Sequence, residues 1–328
     1  MKTITNYTDA TLYHNRGAFA TLAVSEIIPP SYPIFALHKS GDETIVFDER
    51  KYSCKNQQRL IDALHTGIIT ELDKQVICLV GTFSNVCITT KILSELLVLI
   101  GYTPNDKIRA TVDKSVHRLW SYGLIDSFHF KALDVDKMCA TRILTLTPNG
   151  FRLLKTWGVT GFYYNAIDIS GRSVADHKRN CATAQAVVCW LKHVPSISFS
   201  FRKTIKDYVE NDKEAIVRPS ATIVAGNAES AETIYIETVR RTENNADDLL
   251  QKLHRYNLVF SYMGVTPALV IVGEDELHTR ELYDYLVAHG ANKNNIAAYT
   301  HDLAICGGDF WSAFYTYEGD KRIQLHIA

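Results

Sequence analysis

The stretch TPNDKIRATVDKSVHRLWSYGLI, residues 103–125, decides the first half of the fold. Thr103-Pro104-Asn105-Asp106 opens a helix: turn residues, then an acid that suits the positive end of the helix dipole. Ile108, Val112, Val116 and Leu119 recur at spacings of four, four and three, so they share one helical face. Lys107, Lys114 and Arg118 gather on a neighbouring face, with Thr111 between them and the apolar stripe. Gly123 ends the helix as a left-handed cap. Leu124-Ile125 then starts a strand that runs to Phe130, and Ile143 to Thr147 reads as its return partner. Pro148-Asn149-Gly150 turns into a short helix from Phe151 to Trp157.

Working backwards, Glu71 to Val80 and Thr89 to Ile100 are apolar-periodic and separated by Gly81 and polar residues, which supplies two more helices. Three helices followed by a β-hairpin form a winged helix-turn-helix. Its third helix can lie in a DNA major groove, with the hairpin beside it. The predicted DNA contacts are Lys107, Thr111, Lys114 and Arg118 on the helix, and the hairpin around Lys131 to Arg142 on backbone or minor groove. The alternative for the helix cations is an ordinary solvated face.

Composition limits the choices. The chain has 328 residues, enough for two cores. A formal net charge of −1 gives no global nucleic-acid footprint, so any footprint is local. Between 101 and 160, nine cations face five anions, a local excess of +4. The seven cysteines are odd in number and no two lie two to four residues apart, which speaks for reduced thiols rather than zinc. The first ten residues lack a basic-then-apolar signal pattern, and no run approaches 18 apolar residues. A cytoplasmic location and no membrane partner are expected.

The second half reads as α-β-β-β-α-β-α-β. The segments are a helix over 173–192, strands over 197–201, 215–225 and 233–239, and a helix over 245–262. A buried strand over 268–272, a helix over 276–289, and strands over 296–299 and 323–327 follow. Residues 1–68 form an N-terminal extension with a hairpin of Tyr32 to His38 and Glu43 to Phe47; 69–157 is the winged helix, 158–172 a connector, and 173–328 the second domain. The expected class is α+β or α/β.

An α-β-β-β-α-β core resembles the PD-(D/E)xK nucleases. The whole arrangement is similar to the replication-relaxation family of mobile-element proteins, over roughly residues 75 to 300. The resemblance is carried by Leu144-Thr145-Leu146-Thr147-Pro148-Asn149-Gly150, Val217-Arg218-Pro219-Ser220-Ala221, Ile236-Glu237-Thr238-Val239-Arg240-Arg241-Thr242-Glu243 and Lys252-Leu253-His254-Arg255-Tyr256. It implies a plasmid, phage or integrative-element protein that acts in replication, conjugative transfer or its regulation. Implied partners are double-stranded DNA, a second copy of the chain and a replication or transfer protein. The nuclease pattern is broken: Ser220 stands where the second-strand acid belongs, and Val239 where the lysine belongs. Glu237 is then a buried relic paired with Arg240, Arg241 or Arg255, and no catalytic residue or metal ligand is assigned. Mg²⁺ enters only if Glu243, Asp247 or Asp248 substitutes for the missing acid, which would make the chain an endonuclease with a rearranged site. Arg240, Arg241, Lys252 and Arg255 are candidate phosphate contacts. An adaptor that recruits a relaxase or replication initiator is the third possibility. His177 and Cys181, at i and i+4, and His117 beside Arg118 are read as structural or surface residues. Gly307-Gly308-Asp309 lacks the following Lys-Ser/Thr of a phosphate loop.

Overall fold

The computed structural model describes residues 43–47, 57–102, 108–132, 142–159, 164, 171–209, 213–226, 229–242, 244–291, 296–307 and 309–325. It is a mixed α+β protein, and these residues fall into two compact units, the first ending at His177 and the second beginning at Lys178.

The first unit runs β1 (Glu43–Phe47), α1 (Gln57–His65), α2 (Glu71–Thr82), β2 (Ile88–Thr89), α3 (Thr90–Leu99), α4 (Ile108–Ser121), β3 (Ile125–Ala132), β4 (Ile143–Leu146) and α5 (Pro148–Thr156). Its sheet has the order β1-β3-β4-β2, antiparallel throughout. The predicted helices and the β3–β4 pair are present. Of the hairpin expected before Phe47, the strand Glu43–Phe47 is present and lies antiparallel to Phe128–Ala132. The expected partner, Tyr32 to His38, lies outside the described residues.

Local chemistry explains the sharp boundaries. Thr70 and Asp73 form a reciprocal capping box at the start of α2. The Thr147 hydroxyl accepts from Gly150 N and donates to the Gly123 carbonyl, at 3.0 and 2.6 Å. Pro148 fills the first turn of α5, where its missing N–H costs nothing. Gly150 is required by contact: a Cβ there would sit 2.0 Å from the Leu124 carbonyl oxygen. The Leu-Thr-Pro-Asn-Gly motif is thus a device that closes α5 onto the end of α4. The stripe of α4 is buried as expected at Val112, Val116 and Leu119.

The second unit runs α6 (Val174–His193, its first turn lying before the boundary), β5 (Ser196–Phe201), β6 (Ile205–Val209), β7 (Lys213–Val217), β8 (Ala221–Gly226), β9 (Ala231–Thr238), α7 (Asn245–Met263), β10 (Ala268–Gly273), α8 (Glu276–Ala288), β11 (Ile296–His301), α9 (Asp302–Cys306), β12 (Tyr315–Glu318) and β13 (Lys321–Gln324). Seven strands form a mixed sheet in the order β13-β12-β11-β10-β9-β8-β5. β9, β10 and β11 are parallel, and β5, β8 and β9 form an antiparallel meander. Two departures from the sequence reading stand out. The strand expected over 215–225 breaks at Arg218-Pro219-Ser220 into β7 and β8, because Pro219 has no N–H for a ladder. β7 instead pairs with β6 as a separate hairpin packed against α7. The β12 strand was not foreseen; it pairs antiparallel with β11 and β13.

Alternation along β9 directs its side chains. Thr238 meets Thr183 of α6, and Tyr235 and Glu237 face α7. The apolar core on that side includes Leu249, Leu253, Tyr256, Val259 and Phe260 of α7, which Gly264 closes with φ +66°.

Candidate functional site

The first candidate is the outer face of α4. Lys114 and His117 are exposed there, opposite the buried stripe, with Thr111 exposed on one flank and Asp113 and Arg109 on the other. Arg118, expected among them, is engaged elsewhere. Its guanidinium donates Nε and Nη2 to the two carboxylate oxygens of Asp73, at 2.8 and 3.0 Å. Asp73 is fully buried and also accepts from Ser115 and the Thr70 hydroxyl. A buried carboxylate needs charged or hydrogen-bonding partners, so Arg118 is a strut between α2 and α4 rather than a groove residue. Lys107 lies outside the described residues, as does the side chain of Lys131. Arg142 is exposed just before β4.

The second candidate surrounds Glu237. Antiparallel register sets Ala221 against Ile236, which brings Ser220 opposite Glu237. The Glu237 carboxylate is 3% exposed at the residue level and accepts three hydrogen bonds. Ser220 Oγ and Lys252 Nζ donate to Oε2 at 2.8 and 2.7 Å, and the Tyr256 hydroxyl donates to Oε1 at 2.6 Å. Lys252 and Tyr256 stand one turn apart on α7, a spacing that puts both on one face. Burial, reinforced by the neighbouring carboxylate, pushes the Tyr256 phenol well above its ordinary value, so it stays a donor. Ser220 Oγ also receives Thr238 N at 3.3 Å, which locks the serine in place.

The expectation that Glu237 pairs with Arg240, Arg241 or Arg255 is therefore corrected: its cation is Lys252. Arg240 and Arg241 do not reach out as phosphate contacts. Arg240 is buried and donates to Asp302 at 2.9 Å. Arg241 binds Asp275 through both terminal nitrogens, and its backbone N–H donates to Glu274 at 2.9 Å. These groups belong to a buried polar cluster at the carboxyl ends of β9, β10 and β11. Burial there raises the Asp302 carboxyl to about 6 despite Arg240 beside it. Burial, with Arg241 and Arg240 nearby, lowers His278 to about 3. The neutral imidazole accepts from Glu274 N at 3.2 Å.

Lys252 and Arg255 do share a surface. With Asp248, Gln251 and, from the other side, Ile216, Val217 and Arg218, they line a cleft of about 470 Å³. Sequence reasoning passed over Arg218, because its role depends on the break at Pro219. Asp247 is engaged by the Tyr285 hydroxyl, and Glu243 lies outside the described residues.

This donor set does not fit a divalent cation. Mg²⁺ needs carboxylate oxygens with open coordination. Glu237 offers one carboxylate already filled by a lysine, a tyrosine and a serine, and the described residues contain no group of three or more acids, histidines or cysteines arranged to hold a metal. His177 and Cys181 form no such group either; His177 Nδ1 lies 3.5 Å from Cys87 Sγ and its ring meets Phe128 edge-on. Among the described residues no helix is long and apolar enough to cross a membrane. No protein-family model matches the chain, and no curated protein or solved structure matches it.

Proposed function

We propose that the chain is a DNA-binding protein whose first unit is a winged helix. The carrying observation is the two-sided α4, pinned inward by Val112, Val116, Leu119 and the Asp73–Arg118 strut, and presenting Lys114 outward with Thr111 and Arg109 exposed on its two flanks. The helix order α2-α3-α4 followed by the β3–β4 pair supports that reading. Lys114 and Arg109 supply phosphate or base contacts, and Thr111 a smaller polar one. A homodimer on a repeated or palindromic site would supply the specificity that one such helix lacks. The role in replication or transfer of a mobile element, and a replication or transfer protein as partner, rest on the motif resemblance alone.

The second unit is, in this reading, a nuclease-like scaffold without cleavage activity. Ser220 and Lys252 fill the electrostatic space around Glu237 that a metal and a second acid would use. The second reading is an endonuclease with a rearranged site, and one observation favours it: Asp248 lines the same cleft as Lys252. A gel-shift assay at two salt concentrations, with and without Mg²⁺, separates the two. Salt-sensitive binding without cutting, weakened by Arg109→Ala with Lys114→Ala, supports the first; metal-dependent cutting supports the second. No shift at low salt removes DNA binding altogether and favours the adaptor.

A further inference from the structure

The β6–β7 hairpin is an addition to the main sheet, since β5 pairs directly with β8. It packs on α7, and the cleft opens between its last residues and that helix. One wall is apolar, from Ile216 and Val217; the other is polar and cationic, from Gln251, Lys252 and Arg255. Arg218 closes the hairpin side, and its Nε donates to Thr204 Oγ1 at 3.2 Å, which fixes its direction. Three cations stand against Asp248 in the lining and Glu237 behind Lys252, so the excess positive charge rests on the two exposed arginines. The Lys252 ammonium has three donors and gives one to Glu237, whose buried carboxylate holds it at the cleft. A volume of about 470 Å³ lies within the range of small-molecule sites, ~300–1,000 Å³.

We propose that this cleft binds a phosphate-bearing nucleotide, either free or as part of a single strand. Arg218 and Arg255 hold the phosphate, Lys252 is the third donor, and the base lies against Ile216. Arginine suits the task because its planar fork meets two phosphate oxygens at once. The site is independent of the α4 face and stands or falls without it.

The test is calorimetric titration of the full chain with thymidine, thymidine 5′-monophosphate and a short oligothymidylate. The expected result is binding of one or both phosphate-bearing probes and none of thymidine. Arg218→Ala with Arg255→Ala is expected to weaken that binding roughly tenfold or more. For the oligonucleotide, it makes the logarithmic salt dependence shallower by about 0.7 per lost contact. Arg218→Lys with Arg255→Lys keeps the charge but loses the fork, and retains only part of the affinity. Tighter binding of the monophosphate identifies a free nucleotide as the ligand; tighter binding of the oligonucleotide identifies a strand. The proposal is overturned if no probe binds at low salt, if thymidine binds as well as its phosphate, or if the double alanine variant binds like the parent.

Discussion

The exposed face of α4 and the carboxyl ends of β9 and β10 both look basic in sequence, yet they use their cations in opposite ways. On α4, Arg109 and Lys114 point to solvent, and among the described residues neither forms an ion pair. At the strand ends, Arg240 and Arg241 face Asp302, Asp275 and Glu274, all within the second unit. Arg118 shows the same division inside one helix, since it turns inward to Asp73 while Lys114, one turn earlier, turns outward. A cation offers binding energy to a ligand only when its own fold has not already consumed its charge. Local sequence does not carry that information, because the neutralising acid is 45 residues away for Arg118 and 62 for Arg240.

The comparison can be broken by mutation. The largest effect is expected for Arg240→Ala, which leaves Asp302 buried without its cation and costs about 3–5 kcal/mol at neutral pH in urea unfolding. A cost below about 1 kcal/mol would show that the strand-end cations are not structural.

Asp302 supplies a pH test of the same cluster. Its folded value of about 6 lies above the ordinary carboxylate value, so the folded state holds the proton that the unfolded chain releases first. The stability of the parent relative to Asp302→Asn should therefore fall by about 3 kcal/mol between pH 4 and 6 and stay flat above. His278, held neutral, acts in the opposite sense, with stability lost as pH drops from its ordinary value towards about 3. Present in both proteins, it cancels from the difference. A difference that rises across this window would contradict the assignment.

Glu237→Ala strands the buried Tyr256 hydroxyl and opens a cavity, for an expected loss of about 3 kcal/mol. Lys252 is about a third exposed and recovers water, which keeps the loss below that of Arg240. Arg118→Ala should cost about 1–3 kcal/mol, since Asp73 keeps Ser115 and Thr70 as donors. Lys114→Ala should change stability by no more than about 0.5 kcal/mol. Thermal melting of the last two side by side sharpens the comparison, because equal costs would erase the distinction between strut and surface cation.

Much of the fold was legible in the sequence. The periodicity of α4 and α7 and the apolar run of β10 each report a local requirement, and each of these elements formed where expected; the helix expected from Phe151 begins instead at Pro148, because Thr147 caps it and Pro148 suits its first turn. Pairing was less legible. Glu43–Phe47 pairs with a strand some eighty residues on, which no local pattern announces, and β7 leaves the main sheet at Pro219. The candidate site was legible by residue but not by partner. Glu237, Ser220, Lys252 and Tyr256 all lie in quoted motifs, yet their convergence depends on the β8–β9 register and on which face of α7 meets β9. Arg218 also lies in one of these motifs, but nothing local gives it a role, because its place in the cleft depends on the break at Pro219.

The most direct measurement is a single gel-shift and cleavage assay on duplex DNA from the gene's own surroundings, at low and moderate salt, with and without Mg²⁺. The account predicts a salt-sensitive shift, no cleavage in either condition, loss of the shift in Arg109→Ala with Lys114→Ala, and no loss in Arg241→Ala. Cleavage that requires Mg²⁺, or a shift that survives the α4 substitutions and disappears with Arg241→Ala, would contradict it.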